Sequence, residues 1–395
     1  MLLNWPNEIR GLWHPVIEAH CGSDRGHPVR STIEDGTSDR GAREPTIARM
    51  STEITARGQA QQQLLGLLAG KMVSATICTL ARIGLADHLT EGPRPVSELA
   101  TATGTDPDML YRFLRTAAGV GLFSEHADRS FGLTETGALL RSDVDGSLRY
   151  LAYLYGEESV WNCFAYAADT LRTGKPAGPA LRGGRGWFEY MADSPEYAEV
   201  FHRAMTGVSN RAPEVAASYD FGRYRTIADI GGGQGRLLSA ILAANPQQRG
   251  VLFDTESAIG GADPVLTEFG VRDRVECVVG DFFDSVPAGA DAYLLKAILH
   301  DWNDADSIRI LRNIRAVSTE DTRVYVIEAV VPGAGEWHFS KAMDIAMAVS
   351  LGGKERELAE WRDLFAQADF ELVDTVRTAP PHWLIKARPI PRTPR

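Results

Sequence analysis

The sequence predicts an α/β fold, with a mostly parallel C-terminal sheet preceded by a helical domain of winged-helix pattern. Three observations carry this. From about residue 222, continuous apolar strands alternate with amphipathic helices, as in a parallel sheet covered on both faces. The glycine-rich run DIGGGQG, Asp229–Gly235, joins the first of those strands to its helix. Between about residues 59 and 140 the apolar residues recur at helical spacing instead.

At 395 residues the chain is long enough for two cores. A net charge of −11 argues against a nucleic-acid partner, because phosphate binding needs a concentrated basic face. The four cysteines, Cys21, Cys78, Cys163 and Cys277, are scattered and form no CxxC pair. That fits a reducing compartment rather than a disulfide framework or zinc site. The first residues lack the pattern of a signal peptide, and no apolar run approaches the ~18–20 residues that span a membrane. The expectation is a cytoplasmic protein with no membrane partner.

Residues 1–49 show no sustained period and read as a disordered extension whose deletion leaves folding and activity unchanged. Residues 50–145 read as a winged-helix domain of all-helical class built from short helices. Leu64, Leu67 and Leu68, then Val73, Ile77 and Leu80, give the first apolar stripe. Ser97 is placed to cap the next helix, and Asp106-Pro107 to start another whose stripe is Leu110, Phe113, Leu114 and Ala117. Phe123-Ser124 and Phe131–Leu133 read as a small hairpin with Ala127–Arg129 at its tip. A winged helix binds DNA through a basic helix, yet Pro107–Val120 carries only Arg112 and Arg115 against Asp108. Packing or dimerisation is the favoured role.

Residues 146–215 read as a helical region with many aromatics, among them Trp161, Trp187, Phe188, Tyr190, Tyr197 and Phe201. Most belong to a core, and some can wall a pocket for a flat ligand. Gly174–Gly186 is expected to be a loop. Residues 216–390 supply the strands TIADI, VLFD, VECVV, AYLLK and VYVIEAV, and a closing pair expected to run antiparallel at one edge.

Chemistry-bearing residues gather at the carboxyl ends of these strands, where open α/β sheets bind ligands. Gly231, Gly233 and Gly235 let the backbone turn tightly against a ligand, and the following helix points its first amides there. The GxGxG spacing is shorter than that of dinucleotide folds. Asp254 closes the second strand, placed either to accept from ribose hydroxyls or to act as a helix cap. Asp281 closes the third, with Phe282 beside it to pack on a base. His300, four residues past the strand end at Lys296, lies on the same rim, as does Glu328. A carboxylate on one imidazole nitrogen leaves the other free as a base, and Glu355 is a second acid able to arrive from a loop.

The segments Gly231–Gly235, GDFF, LLKAILHDWND, VIEAVVP and GGKER, in that order, closely resemble the O-methyltransferases of the caffeic acid type. The resemblance runs from about residue 60 to 387, with TGKPA and FEYM matched on the way. It implies a Rossmann-like S-adenosylmethionine (SAM)-dependent methyltransferase sheet and a winged-helix domain that forms an intertwined homodimer. It implies SAM at Gly231, Asp254, Asp281, Phe282 and Lys296, His300 as general base, and Glu328 and Glu355 flanking it. Met205 and Met347 match positions lining the acceptor pocket, where Trp161 is also placed. The acceptor implied is an aromatic small molecule of natural-product biosynthesis, methylated on a hydroxyl.

No metal is expected, since no HxH or HExxH cluster offers a site. With ordinary values of ~10 for a phenol and ~6.5 for histidine, proton transfer before attack is uphill by ~3.5 units, nearly 5 kcal/mol. Other classes make distinct demands. A hydroxylase or decarboxylase-type relative would yield no product heavier by one methylene, and N- or C-methylation is open on the same fold. A winged-helix regulator needs a basic face, and a nicotinamide oxidoreductase needs the longer GxGxxG turn.

Overall fold

The computed structural model describes residues 44–208 and 211–391, with side chains from residue 57 onward. The chain divides into two compact units between Val144 and Asp145.

The first unit opens with one long helix, Glu44–Arg82, where short helices were expected. Its run of Gln, Ala, Leu, Lys and Met is rich in strong helix formers, and the helix's three glycines, Gly58, Gly66 and Gly70, do not break it. Gly84 follows in the left-handed region at φ 68°, turning the chain out of the helix. Residues 44–49, expected within a disordered extension, form the first turns; residues 1–43 of that extension lie outside the described residues. Its Arg57–Arg82 segment is also long and apolar enough to cross a membrane by length and composition, correcting the expectation that no such run exists. Leu64, Leu65, Leu67, Leu68 and Met72 are each more than half exposed, whereas Leu80 is buried. The helix thus offers an apolar face that its own unit leaves uncovered.

Helix Val96–Thr103 follows, but its cap is Pro95, and Ser97 sits inside the first turn. Asp106 does cap helix Pro107–Gly119, accepting the Met109 N–H at 2.8 Å. The unit is not all-helical. Strands β1 (Arg94–Pro95), β2 (Phe123–Glu125) and β3 (Ser130–Leu133) form an antiparallel sheet in the order β1-β3-β2. At two residues, β1 is too short to carry a period in sequence. Leu80, Leu85, Leu99, Leu110, Leu114, Phe123 and Phe131 make the core.

The second unit begins with helices between residues 149 and 217. A short helix, Gly178–Leu181, interrupts the stretch expected to be loop; Pro179 fits its first turn, and Ala177 N–H donates to the Val349 carbonyl. The main sheet then follows: β4 (Thr226–Ile230), β5 (Arg249–Asp254), β6 (Val275–Val279), β7 (Ala292–Lys296), β8 (Arg323–Ala329), β9 (Phe370–Arg377) and β10 (His382–Pro389). Their order is β6-β5-β4-β7-β8-β10-β9, with β4 to β8 parallel and β10 antiparallel to both neighbours. Alternation along the strands makes two cores. Ile227, Tyr325 and Ile327 pack with helices Arg236–Ala244 and Ala262–Glu268, while Val324 and Val326 pack with helices Asp304–Val317 and Leu358–Gln367. Strand order reverses between β4 and β7, the kind of switch point at which open α/β sheets bind ligands.

Candidate active site

The bend after β4 has Gly231 at φ 69° and Gly233 at φ 58°, both left-handed. A Cβ on Gly231 would sit 2.5 Å from Ile298 Cδ1, so the bend touches the segment that leads into His300. Asp254, last residue of β5, accepts the Gly233 N–H at 2.8 Å on one oxygen and the Thr255 N–H at 2.7 Å on the other. It therefore braces the bend while keeping lone pairs free for a ligand. Asp281 accepts the Phe283 N–H at 2.8 Å, and Phe282 meets Phe283 and Trp302 edge-on. Asp229, inside β4, is 1% exposed, and neither carboxylate oxygen has a protein partner. Burial pushes its pKa up to about 7, against the pull of Lys296. Burial lowers the Lys296 pKa in turn, against the pull of Glu328 and Asp229.

His300 stands on a 3-10 turn, Leu299–Asp301, reached through a backbone reversal at Ala297, whose φ of 53° is uncommon without glycine. Glu328 holds that turn. Its Oε1 accepts the N–H groups of Ile298 at 2.9 Å, Leu299 at 3.0 Å and His300 at 3.4 Å. Its other oxygen lies 3.7 Å from His300 Nδ1. The hydrogen-bonded partner of Nδ1 is instead Glu355, at 2.8 Å. The two acids thus exchange the parts expected of them: the strand acid organises backbone, and the loop acid orients the ring.

Glu355 is itself fixed from several sides. Its N–H donates to Asp344 at 2.9 Å, and Lys354 N–H donates to the His300 carbonyl at 2.9 Å. Arg356, fully buried, donates to the carbonyls of Leu299 at 2.9 Å, Trp302 at 3.0 Å and Lys354 at 3.1 Å. It also reaches the Ser307 hydroxyl and pairs with Asp304 at 2.9 Å. One guanidinium therefore ties the histidine turn to the loop that carries its carboxylate.

Burial alone would lower the His300 pKa, but Glu328, Asp301 and Glu355 together outweigh it and raise it to about 10. The expectation of an ordinary imidazole is corrected accordingly. Asp301 lies 3.5 Å from Nε2, and burial pushes its carboxyl up to about 6 despite the imidazole. Burial likewise raises Glu328 to about 7. With Nδ1 committed to Glu355, Nε2 is the atom available for proton transfer.

The structure thus brings Gly231, Gly233, Gly235, Asp254, Asp281, Phe282, Lys296, His300, Glu328 and Glu355 to one end of the main sheet. The three residues assigned to the acceptor lie on helices, and Met347 is one turn from Asp344, which accepts the Glu355 N–H. Met205 packs against Trp187 and Tyr197, while Met347 and Trp161 are half-buried on their helices. Phe188 stacks on Trp302 at 5.8 Å, linking its helix to the histidine turn. Sequence reasoning passed over Asp301, Trp302 and Arg356, although each directly adjoins or lies two residues from a named site residue. It also passed over the orphaned Asp229.

One atom each of His300, Glu328 and Glu355 lies within 4.8 Å of the others, a spacing that would accommodate a cation. Their hydrogen bonds already occupy Nδ1 and Glu328 Oε1, however, which favours proton chemistry.

Residues 164–371 match the O-methyltransferase domain family, and residues 65–143 its dimerisation domain. The phenazine O-methyltransferase of Lysobacter antibioticus is 40% identical over 83% of this chain and 96% of that protein. The 8-amino-8-demethylriboflavin N,N-dimethyltransferase of Streptomyces davaonensis is 37% identical over 80% of this chain and 91% of its own. Among solved structures, an O-methyltransferase from neocarzinostatin biosynthesis, in complex with SAM and 2-hydroxy-5-methyl naphthoic acid, superposes with a TM-score of 0.70. It is 33% identical and covers 80% of this chain and 96% of its own.

Proposed function

This chain belongs to the O-methyltransferase family, and on that premise we propose that it methylates a hydroxyl of an aromatic small molecule with His300 as general base. It is a SAM-dependent methyltransferase of natural-product biosynthesis, with a dimerisation domain suited to a homodimer. The buried, unpartnered carboxylate of Asp229, the glycine bend and the strand-end acids Asp254 and Asp281 fit that cofactor. Bound there, SAM supplies a methyl group made electrophilic by a positive sulfonium.

The observation that carries the assignment is the 2.8 Å bond between His300 Nδ1 and Glu355. It commits Nδ1 and leaves Nε2, 3.5 Å from Asp301, as the proposed proton acceptor. As the acceptor oxygen attacks, its O–H bond breaks and an Nε2–H bond forms. The raised basicity of His300 brings it nearer to a phenol than an ordinary imidazole, so transfer to an unprotonated Nε2 is less uphill. Phe188, Trp302 and Phe283 offer flat apolar surface that holds a ring and excludes water. The three free cysteines among the described residues suit a reducing, cytoplasmic compartment.

Incubation with labelled SAM and a panel of aromatic phenols tests the reading, with a product heavier by one methylene expected. His300→Ala should cut turnover by ~10²–10⁴ while SAM binding, read by calorimetry, stays near wild type. Wild-type turnover in that variant removes the base assignment. A second reading, methylation at nitrogen, is favoured by the riboflavin-type relative. Product fragmentation separates the two. Loss of activity on chelation, restored by a divalent cation, would give the His300 cluster to a metal instead.

A further inference from the structure

Two arginines are buried in the second unit's site region, and the fold treats them oppositely. Arg356 is surrounded by acceptors. Arg182 is 2% exposed, yet only Nη2 is satisfied, donating to the Ser350 carbonyl at 2.8 Å. Its Nε and Nη1 have no oxygen acceptor, the neighbouring Cys163 thiol being only a weak one, and no carboxylate among the described residues pairs with it. Three buried hydroxyls lie nearby: Tyr197 Oη and Ser159 Oγ, whose only side-chain neighbours for hydrogen bonding among the described residues are each other, and the unpartnered Ser350 Oγ. Tyr197 neighbours the guanidinium, and Ser159 neighbours Tyr197. A guanidinium taken out of water without an anion is costly, so a fold that keeps one in place points to an anion that completes it.

The walls of this place are aromatic. The Trp187 ring lies 5.1 Å from the guanidinium, and Tyr197 meets Trp187 edge-on at 5.6 Å. Gly178 packs so closely that a Cβ there would come within 2.7 Å of both terminal nitrogens, which fixes the cation's position. Two short stretches connect this place to the base. Phe188, next to Trp187, stacks on Trp302, two residues past His300. Ser350 is followed five residues later by Glu355, a span of at most ~17 Å.

We infer that Arg182, with Tyr197 and Ser159, binds a carboxylate carried by the aromatic acceptor. This rests on the proposal above that the acceptor is aromatic. A carboxylate supplies the missing charge, and its oxygens accept from the guanidinium and the hydroxyls at once. The ring that bears it then extends past Trp187 toward Phe188 and Trp302, the surface proposed above for the acceptor. An uncharged acceptor of equal shape leaves Arg182 unpaired and binds more weakly.

Binding of benzoate, benzamide and formate to the full-length enzyme tests this without requiring turnover. Calorimetry should show benzoate binding at least about tenfold tighter than isosteric benzamide, the usual share of one charge-assisted bond. Arg182→Met should abolish that preference while SAM binding persists, which also shows that the variant is folded. Tyr197→Phe, a milder change, should weaken benzoate by a smaller factor. Equal binding of benzoate and benzamide, or an unchanged preference in Arg182→Met, overturns the site. Formate binding as tightly as benzoate makes it a free-anion site and overturns the acceptor assignment. If benzoate binding depends on Arg182 but no phenol is methylated, the methylation reading fails and the anion site stands.

Discussion

Replacing Glu355 with Gln keeps the side-chain shape and an oxygen for Nδ1–H but removes the negative charge 2.8 Å from the imidazole. That charge is one of three that together raise the His300 pKa to about 10 against the effect of burial. A hydrogen bond to a charged group contributes about 1.5–3 kcal/mol, which is about 1–2 pKa units. Neutralising it destabilises the imidazolium, so the pKa moves down, toward about 8–9. The assay is kcat/KM for the acceptor against pH, at saturating SAM. In the wild type the acid limb rises as the imidazolium loses its proton. In Glu355→Gln that limb moves to lower pH by about 1–2 units, and the plateau falls because a weaker base acts there. A midpoint within about 0.3 unit of wild type refutes the claim that Glu355 sets the basicity of His300.

Three further outcomes are expected. Asp229 has a folded-state pKa raised to about 7 from an ordinary value of 3.8, so its contribution is intact below about 3.8 and is lost as pH rises through about 7. Asp229→Asn escapes that loss and should stabilise the cofactor-free enzyme by up to about 4 kcal/mol at pH 8 and far less at pH 4; urea melts at both pH values check it, and an equal gain at each sinks it. Arg356→Met strands the carbonyls of Leu299, Trp302 and Lys354 along with Asp304, so about 3–5 kcal/mol of stability and most of kcat should go, while titration shows SAM affinity largely retained. Leu68 is 63% exposed in the single chain, so Leu68→Glu costs little unless a second copy covers it; sedimentation should show monomers, and an unchanged dimer would place the interface elsewhere.

What could be read in the sequence followed physical range. Strands β4, β7 and β8 are legible because burial on both faces demands unbroken apolar runs, and the glycine bend is legible because Gly231 and Gly233 need left-handed backbone. His300 stands out by its place just past a strand end. The division of labour between Glu328 and Glu355 was not legible. It depends on the reversal at Ala297, which turns three consecutive N–H groups onto one carboxylate, and alanine gives no warning of a positive φ. It depends also on Arg356, whose partners come from a distant turn. The pKa of His300 was equally hidden, since Glu328, Asp301 and Glu355 arrive from three separate segments. Arg182 sits in a glycine-rich stretch without period, and only the folded chain shows that it is buried.

The high basicity of His300 carries a consequence of its own. A base near 10 is matched to a phenol, but at neutral pH the free enzyme holds it protonated. The imidazolium survives because acidic groups crowd it, and those same groups make the rim attractive to cations. The glycine bend contacts Ile298, only two residues from His300, so a positive ligand seated at that bend lies close enough to oppose the ring's charge. A positive charge held there would favour loss of the imidazolium proton, at the cost of part of the raised basicity. Nε2 is then free when the acceptor arrives. Under the proposed base role the carboxylates around His300 therefore act in two opposed ways: they raise the basicity of the imidazole, and they favour a positive ligand whose charge would lower it again.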